Sequence, residues 1–239
     1  MSSLSGNTVV IIGGNSGIGL ETARQAHVAG ARLIITGRDK ERLDAARDEL
    51  GATAATLDLS DPAGLRLFFA GLPAPVDHVM VTGGGPTYSP IATMDFDQAR
   101  NVLDEHLLGS LRVARECISR VRPGGSLTFF TGTDARRPGK GGALAAIAAA
   151  ALPAIAANAA LELAPIRVNV IAAGFVDTPL SARLLGDELE HRREQLRAAL
   201  PIRRVVEPAD VAALAVALMT NTALTGATYD VDGGQQLVP

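Results

Sequence analysis

The chain has no tryptophan, one cysteine, two tyrosines (Tyr88 and Tyr229) and two lysines (Lys40 and Lys140) in 239 residues, and aromatic side chains make up only 3% of it. A lone cysteine, Cys117, cannot close an intrachain disulfide, and its setting Ala114-Arg115-Glu116-Cys117-Ile118 reads as helix, so a reducing, cytoplasmic home is expected. Excess positive charge is missing too. The 22 Lys and Arg against 25 Asp and Glu leave a formal charge of −3, which supplies no drive toward phosphate backbones or anionic lipid, so nucleic acid is not an expected partner. The histidines, His27, His78, His106 and His191, show none of the local spacings of a metal site, and no metal is expected. Residues 1–6 lack the basic start and apolar run of a signal peptide. The one membrane suspect, 143–164, is mostly alanine, carries Pro153, Asn158 and Glu162, and is short of Leu, Ile and Phe; it reads as a buried helix, with no membrane implied.

What is abundant is small and aliphatic: hydrophobic residues make up 47% and charged ones 20%, with 25 glycines. That composition excludes disorder and collagen-like repeats and suits one well-buried domain spanning 1–239. β-Branched runs at 8–12, 32–36, 54–58, 76–81, 126–131, 167–172 and 227–231 alternate with helical patterns at 17–29, 40–50, 61–72, 95–121, 142–163 and 207–219. Strands this continuously apolar are covered on both faces. The expected fold is therefore α/β and doubly wound, a mostly parallel seven-stranded sheet with helices on both sides. One region is irregular, 179–204, where a charged helix at 187–197 interrupts the approach to the last strand. It reads either as a lid beside a ligand crevice or as a solvated surface helix, and Leu184, Leu185, Leu189, Leu196 and Leu200 give it an apolar face in both readings.

Directly after the first strand, Gly13-Gly14-Asn15-Ser16-Gly17-Ile18-Gly19 opens a helix. Glycines there let the backbone turn tightly and approach a pyrophosphate, whose charge the free N–H groups of a helix N-terminus stabilise. The strand before and the helix and second strand after favour a dinucleotide site over a merely structural glycine turn. The spacing of Gly13, Gly17 and Gly19 resembles that of the short-chain dehydrogenase/reductase family, and other segments agree. Leu57-Asp58-Leu59 is similar to the family's adenine-contacting turn. Val81-Thr82-Gly83-Gly84-Gly85 lies where the family has an Asn-Ala-Gly turn, with Asn and Ala replaced. Leu161 to Asn169 resembles the run into the sixth strand, Gly174-Phe175-Val176-Asp177-Thr178-Pro179 the loop whose backbone and Thr hold the nicotinamide amide, and Thr225 to Gly234 the last strand. The resemblance implies a Rossmann fold, a nicotinamide dinucleotide, a small-molecule substrate and a homodimer or homotetramer paired through the helices at 95–121 and 142–163.

Cofactor choice is written at the tip of the second strand, which ends Thr36-Gly37-Arg38. An NAD-preferring site places a carboxylate there for the ribose hydroxyls. Gly37 holds that position and Arg38 can pair with a phosphate, so NADP(H) is favoured over NAD(H); a one-residue shift would instead make Asp39 the ribose acid. Arg42 adds positive charge or is simply solvated.

The resemblance breaks at the chemistry. The family's Tyr and Lys positions fall on Ala145 and Ala149, its Ser on Gly132 and its Asn on His106, and no Tyr lies between Tyr88 and Tyr229 and no Lys after Lys140. Losing a positioned general acid costs about 10² to 10⁴ in rate. His106 is a candidate proton donor, since imidazole titrates near neutral pH, against the reading of a helix histidine satisfied by backbone. Thr131 and Thr133 can polarise a carbonyl or merely pair locally, Tyr88 sits on a loop at the sheet's carboxyl edge and either reaches substrate or is a lone loop aromatic, and Lys140 belongs to a basic loop. Pro153 should kink or end its helix. Two readings follow: an NADP(H)-dependent oxidoreductase acting on a carbonyl, enone or quinone-like substrate through a non-standard active site, or a dinucleotide-binding sensor, scaffold or subunit partner that has lost its chemistry.

Overall fold

A computed structural model describes residues 3–238. Strands β1 (Thr8–Ile12), β2 (Arg32–Gly37), β3 (Thr53–Thr56), β4 (Val76–Val81), β5 (Val121–Gly132), β6 (Arg167–Ala173) and β7 (Thr228–Val231) form one parallel sheet in the order β3-β2-β1-β4-β5-β6-β7. Helices α1 (Gly17–Val28), α2 (Lys40–Leu50) and α9 (Pro208–Thr220) cover one face; α3 (Pro62–Gly71), α4 (Phe96–Leu103), α5 (Gly109–Arg120) and α6 (Ala143–Glu162) lie toward the other. Helices α7 (Pro179–Leu185) and α8 (Leu189–Ala199) follow β6. The expected doubly wound fold is borne out.

The alternation along β1 shows how the two cores arise. Val10 and Ile12 join Leu65, Phe69 and Val113 on one side, while Val9 and Ile11 join Leu43, Val211 and Leu218 on the other. Because both faces are covered, every β1 and β6 residue is buried, which is why β1 reads as a near-continuous apolar run and why the polar Arg167 and Asn169 of β6 are buried too. Cys117 is fully buried in the first core, and burial pushes its thiol up. At the end of the sheet that carries the strand starts, the buried Arg167 donates to the Leu218 and Met219 carbonyls (2.7 and 2.8 Å) and to those of Asn221 and Leu224, so a cation satisfies the C-terminus of α9.

Four local expectations are corrected. The single helix expected over 95–121 is broken by a π turn at Asp104–Leu108, whose wide loop is closed by Gly109 N–H donating to the Asp104 carbonyl and clamped by Arg112 on the Asp104 carboxylate (2.7 and 3.0 Å). β5 begins at Val121, earlier than residue 126, because its first residue already pairs with Val76 before a register shift at Val76/His78. β3 is shorter than its apolar pattern, since residues 57–59 leave the sheet to turn at its edge. Pro153 neither ends nor breaks α6, which runs on to Glu162 because Leu152, Ala156 and Ala159 stay packed in the core. By length and composition α6 is also apolar enough to cross a membrane; here it packs on β5 and β6. The charged segment after β6 is two helices joined by a 3-10 turn at Gly186–Glu188, and its Leu196 and Leu200 bury with Val205 against Phe175.

His78, buried between β1 and β5, is satisfied as a neutral ring: Asn7 Nδ2 donates to Nε2 (3.1 Å) and Nδ1–H donates to Ser126 Oγ (2.8 Å). Burial lowers its pKa from 6.5 to about 4, with Arg167 and Arg122 pushing the same way against the attraction of Asp77. A folded pKa below the unfolded one means the unfolded chain takes up the proton first, so stability is complete above pH 6.5 and is lost as pH falls toward 4. Between pH 7.5 and 5 this single group is expected to cost about 2 kcal/mol. Urea midpoints across that range should fall steeply for the wild type and more shallowly for His78→Gln.

Candidate active site

In a doubly wound sheet, ligands bind outside the carboxyl ends of the strands where the strand order reverses, here between β1 and β4. The two strand ends approach closely. A Cβ on Gly13, which has φ +88°, would stand 2.8 Å from Thr82 Oγ1 and 2.9 Å from Gly83 N, and one on Gly19 would press into the Gly13 carbonyl and stand 2.6 Å from Thr82 Oγ1. The Thr82 hydroxyl donates to the Ile12 and Gly13 carbonyls (3.1 and 3.3 Å), tying β4 to the glycine turn. Thr82 thus stitches the strands where the Asn of the expected turn is missing.

Two connected cavities open from this point. A crevice of about 230 Å³ runs over Gly13, Asn15, Ser16, Gly17, Ile18 and Gly19 to Arg38, and a cleft of about 510 Å³ lies beyond it; Ile18, Gly84, Phe130, Thr178 and Leu180 line both. The crevice fits a dinucleotide on structural grounds. Ser16 is the N-cap of α1 but makes no side-chain cap bond, so the first N–H groups of the helix stay available to an anion. A Cβ on Gly17 would project into open space with only Thr178 carbons nearby, at 3.7 Å. Arg183 from α7 adds a cation to the same crevice.

At the β2 tip, Asn15 folds over Gly37, where any Cβ would overlap its amide. Arg38 lines the crevice, exposed, 3.7 Å from Glu105 of the π turn. Asp39 does not line it: its carboxylate caps α2 by accepting from Arg42 N–H (3.1 Å) and pairs with the Arg42 side chain. Leu57 and Leu59 line the crevice with Gly83, whereas Asp58 accepts from Ser60 N–H and Oγ (2.9 and 2.7 Å), which with Arg38 nearby holds its carboxyl below the usual range.

The larger cleft gathers His106, Thr131, Gly132, Thr133, Tyr88 and Ala145, leaving Ala149 in the core beneath. The His106 ring rests against the Gly84 backbone and has no hydrogen-bond partner among the described residues; the same holds for the Thr131 and Thr133 hydroxyls. The space a side chain would take at Gly132 is filled by the Asp134 carboxylate, which accepts from Tyr88 OH at 3.0 Å. Burial first, then Asp134, pushes the Tyr88 phenol up to about 12. Gly174 is pinned by close approach of Gln235 and Asp232, Val176 bridges Val206, and the Thr178 hydroxyl caps α7 by accepting from Ser181 N–H (3.1 Å). Lys140 lies outside both cavities. Thr82, Glu105, Asp134 and Arg183 are the residues that sequence reading passed over. Asp134 lies two positions after Gly132, but its relation to that glycine is one of space.

A family model described as "Enoyl-(Acyl carrier protein) reductase" matches residues 12–236. An "NADP-dependent (R)-specific alcohol dehydrogenase" of Lentilactobacillus kefiri is 30% identical, covering 97% of this chain and 97% of its own. The chain belongs to the short-chain dehydrogenase/reductase family. Solved structures of short-chain enzymes superimpose closely: MalC reductase/Diels-Alderase of Malbranchea aurantiaca has a TM-score of 0.92 at 27% identity over 98% of both chains. A small-chain dehydrogenase in complex with NADPH gives 0.83 at 27% identity, covering 97% of this chain and 99% of that one. Membership of the short-chain family places this protein among the NAD(P)-dependent oxidoreductases, and the crevice is the candidate site for the nicotinamide dinucleotide. The dinucleotide supplies or accepts the hydride when bound. The residues that would hold it are those of the glycine turn, the α1 N-terminus and the tip of β2.

Because the Gly19 contact is backbone against backbone, Gly19→Ala is expected to destabilise by about 1–3 kcal/mol and to weaken dinucleotide binding. Gly71→Ala, with open space around it, should be neutral or stabilising by up to about 1 kcal/mol. Urea denaturation and fluorescence titration of the two variants check both.

Proposed function

We propose that the protein is an NADP(H)-dependent oxidoreductase acting on a carbonyl, enone or quinone-like substrate through a non-standard active site, with His106 handling the proton that a Tyr–Lys pair handles elsewhere in the family. The observation that carries this reading is the His106 ring in the cleft wall, which has no hydrogen-bond partner among the described residues, nor have the Thr131 and Thr133 hydroxyls in the same wall. An imidazole held by packing alone, with both nitrogens open, can give a proton to a developing oxyanion, and the two hydroxyls can donate hydrogen bonds to the same oxygen. Tyr88 serves differently. Its phenol keeps its proton and spends it on Asp134, so it orients that carboxylate.

NADP(H) is favoured because the two residues weighed at the β2 tip have separate tasks. Asp39 is committed to the helix cap, and Arg38, with one partner at 3.7 Å, remains able to take a 2′-phosphate. The NADP-dependent relative and the NADPH-bound neighbour support this. Helices α7 and α8, which contribute Leu180, Leu184, Leu185 and Arg192 to the cleft wall, act as a lid over it. Exposed Leu111 and Ile118 on α5 and Ile147 and Leu161 on α6 support pairing of those helices in a homodimer or homotetramer. A cytoplasmic location fits the single, buried cysteine.

Arg38→Ala should weaken NADPH binding by about tenfold or more while leaving NADH within about threefold, the loss of one charge-assisted pair; fluorescence titration with both cofactors reads this directly. In a panel of carbonyls, enones and quinones followed by NADPH consumption, His106→Ala should lower kcat by about 10² or more at unchanged NADPH affinity. Turnover unaffected by that substitution removes His106 from the chemistry.

A further inference from the structure

The cleft carries positive charge that the protein does not neutralise. Two guanidinium groups line it, Arg137 from the loop between β5 and α6 and Arg192 from α8, and neither has a carboxylate partner among the described residues. Their sequence neighbours do. Arg136 forks onto Asp230 (2.6 and 2.7 Å) and Arg193 onto Asp177 (2.8 Å for both bonds). Successive helical residues project about 100° apart, so tying Arg193 to the loop after β6 fixes the rotation of α8 that turns Arg192 toward the cleft. Arg137 is steadied by donating to the Gln235 carbonyl, and Arg192 by donating to Gln195 Oε1 at 3.3 Å. Each guanidinium has five N–H donors, so most remain unspent.

The only carboxylate lining the cleft among the described residues is Asp134, already engaged by Tyr88. Two arginines against this one carboxylate leave an excess of positive charge, which suits an anionic ligand. The wall alongside is apolar, built from Leu144, Leu180, Leu184 and Leu185. Resting on the reading of this cleft as the substrate side of the enzyme, we infer that the substrate is an apolar molecule bearing a single carboxylate, which Arg137 and Arg192 hold. A guanidinium fork matches a carboxylate's two oxygens, and in a partly desolvated cleft such charge-assisted bonds are the strong ones. Arg192 sits on α8, so the same contact draws that helix over the bound substrate.

The test is calorimetric titration of octanoate and of octanamide, its uncharged isostere, into the protein with and without saturating NADPH. Octanoate is expected to bind at least tenfold tighter than octanamide. Arg137→Gln and Arg192→Gln should each weaken octanoate at least fivefold, and the double variant should bind the two probes alike, with the Kd for NADPH unchanged in all three. Octanoate that fails to bind, that binds no tighter than octanamide, or that keeps its advantage in the double variant overturns the inference. The cofactor reading fails on a different result, a wild-type protein that does not bind NADPH, and the cofactor-free titrations still decide the role of the two arginines in that event.

Discussion

The carboxyl ends of β1 and β4 meet with only the small Thr82 hydroxyl between them, and most of the molecule's organisation follows from that contact. The strand order turns around there, so the chain departs in opposite directions on either side and leaves a gap above the sheet. Gly13 and Gly19 keep the gap's floor thin, and Thr82 fastens it with hydrogen bonds to two carbonyls. A thin floor lets α1 begin at once beneath the gap, with its free N–H groups pointing into it, and α1 in turn packs on α9. Dinucleotide binding is therefore a property of how two strands abut. Loop decoration comes second.

What could be read from residue order was what local physics decides. Apolar strands and glycine turns are each specified by neighbours a few positions apart, and all seven expected strands form, with β3 and β5 differing most in their bounds. The π turn was invisible because Asp104 and Arg112 are eight residues apart and α-helical periodicity runs through both. Asp134 escaped because its importance depends on the emptiness of Gly132, a relation of space that no propensity encodes. Pro153 left open whether its helix ends or continues, and the packing of Leu152 and Ala156 in the core accompanies its continuation. Only the structure separates Arg38 from Asp39, since the adjacent cation and anion differ in which one a helix end claims.

The polar groups of the cleft are arranged around a glycine. The Asp134 carboxylate lies in the room beside Gly132, the Tyr88 phenol holds it, and the His106 imidazole stands in the same wall. Arginines are divided in the same manner, one member of each adjacent pair tied down and the other turned inward. Rigid anchoring beside a free group is what lets a site be both held in place and available to a ligand.

The wide turn at Asp104–Leu108 places consecutive residues on different duties, Glu105 beside Arg38 in the crevice and His106 in the cleft wall. Relative to an α-helix the turn is one residue of surplus chain. A π turn takes up one inserted residue by widening locally, so deleting a single position within it would return the segment to ordinary helix while α4 and α5 kept their facing. Only the residues carried by the turn itself, Glu105 and His106, would be placed anew. The surplus residue thus works as a local aperture: it widens the wall between crevice and cleft without moving the helices that frame it.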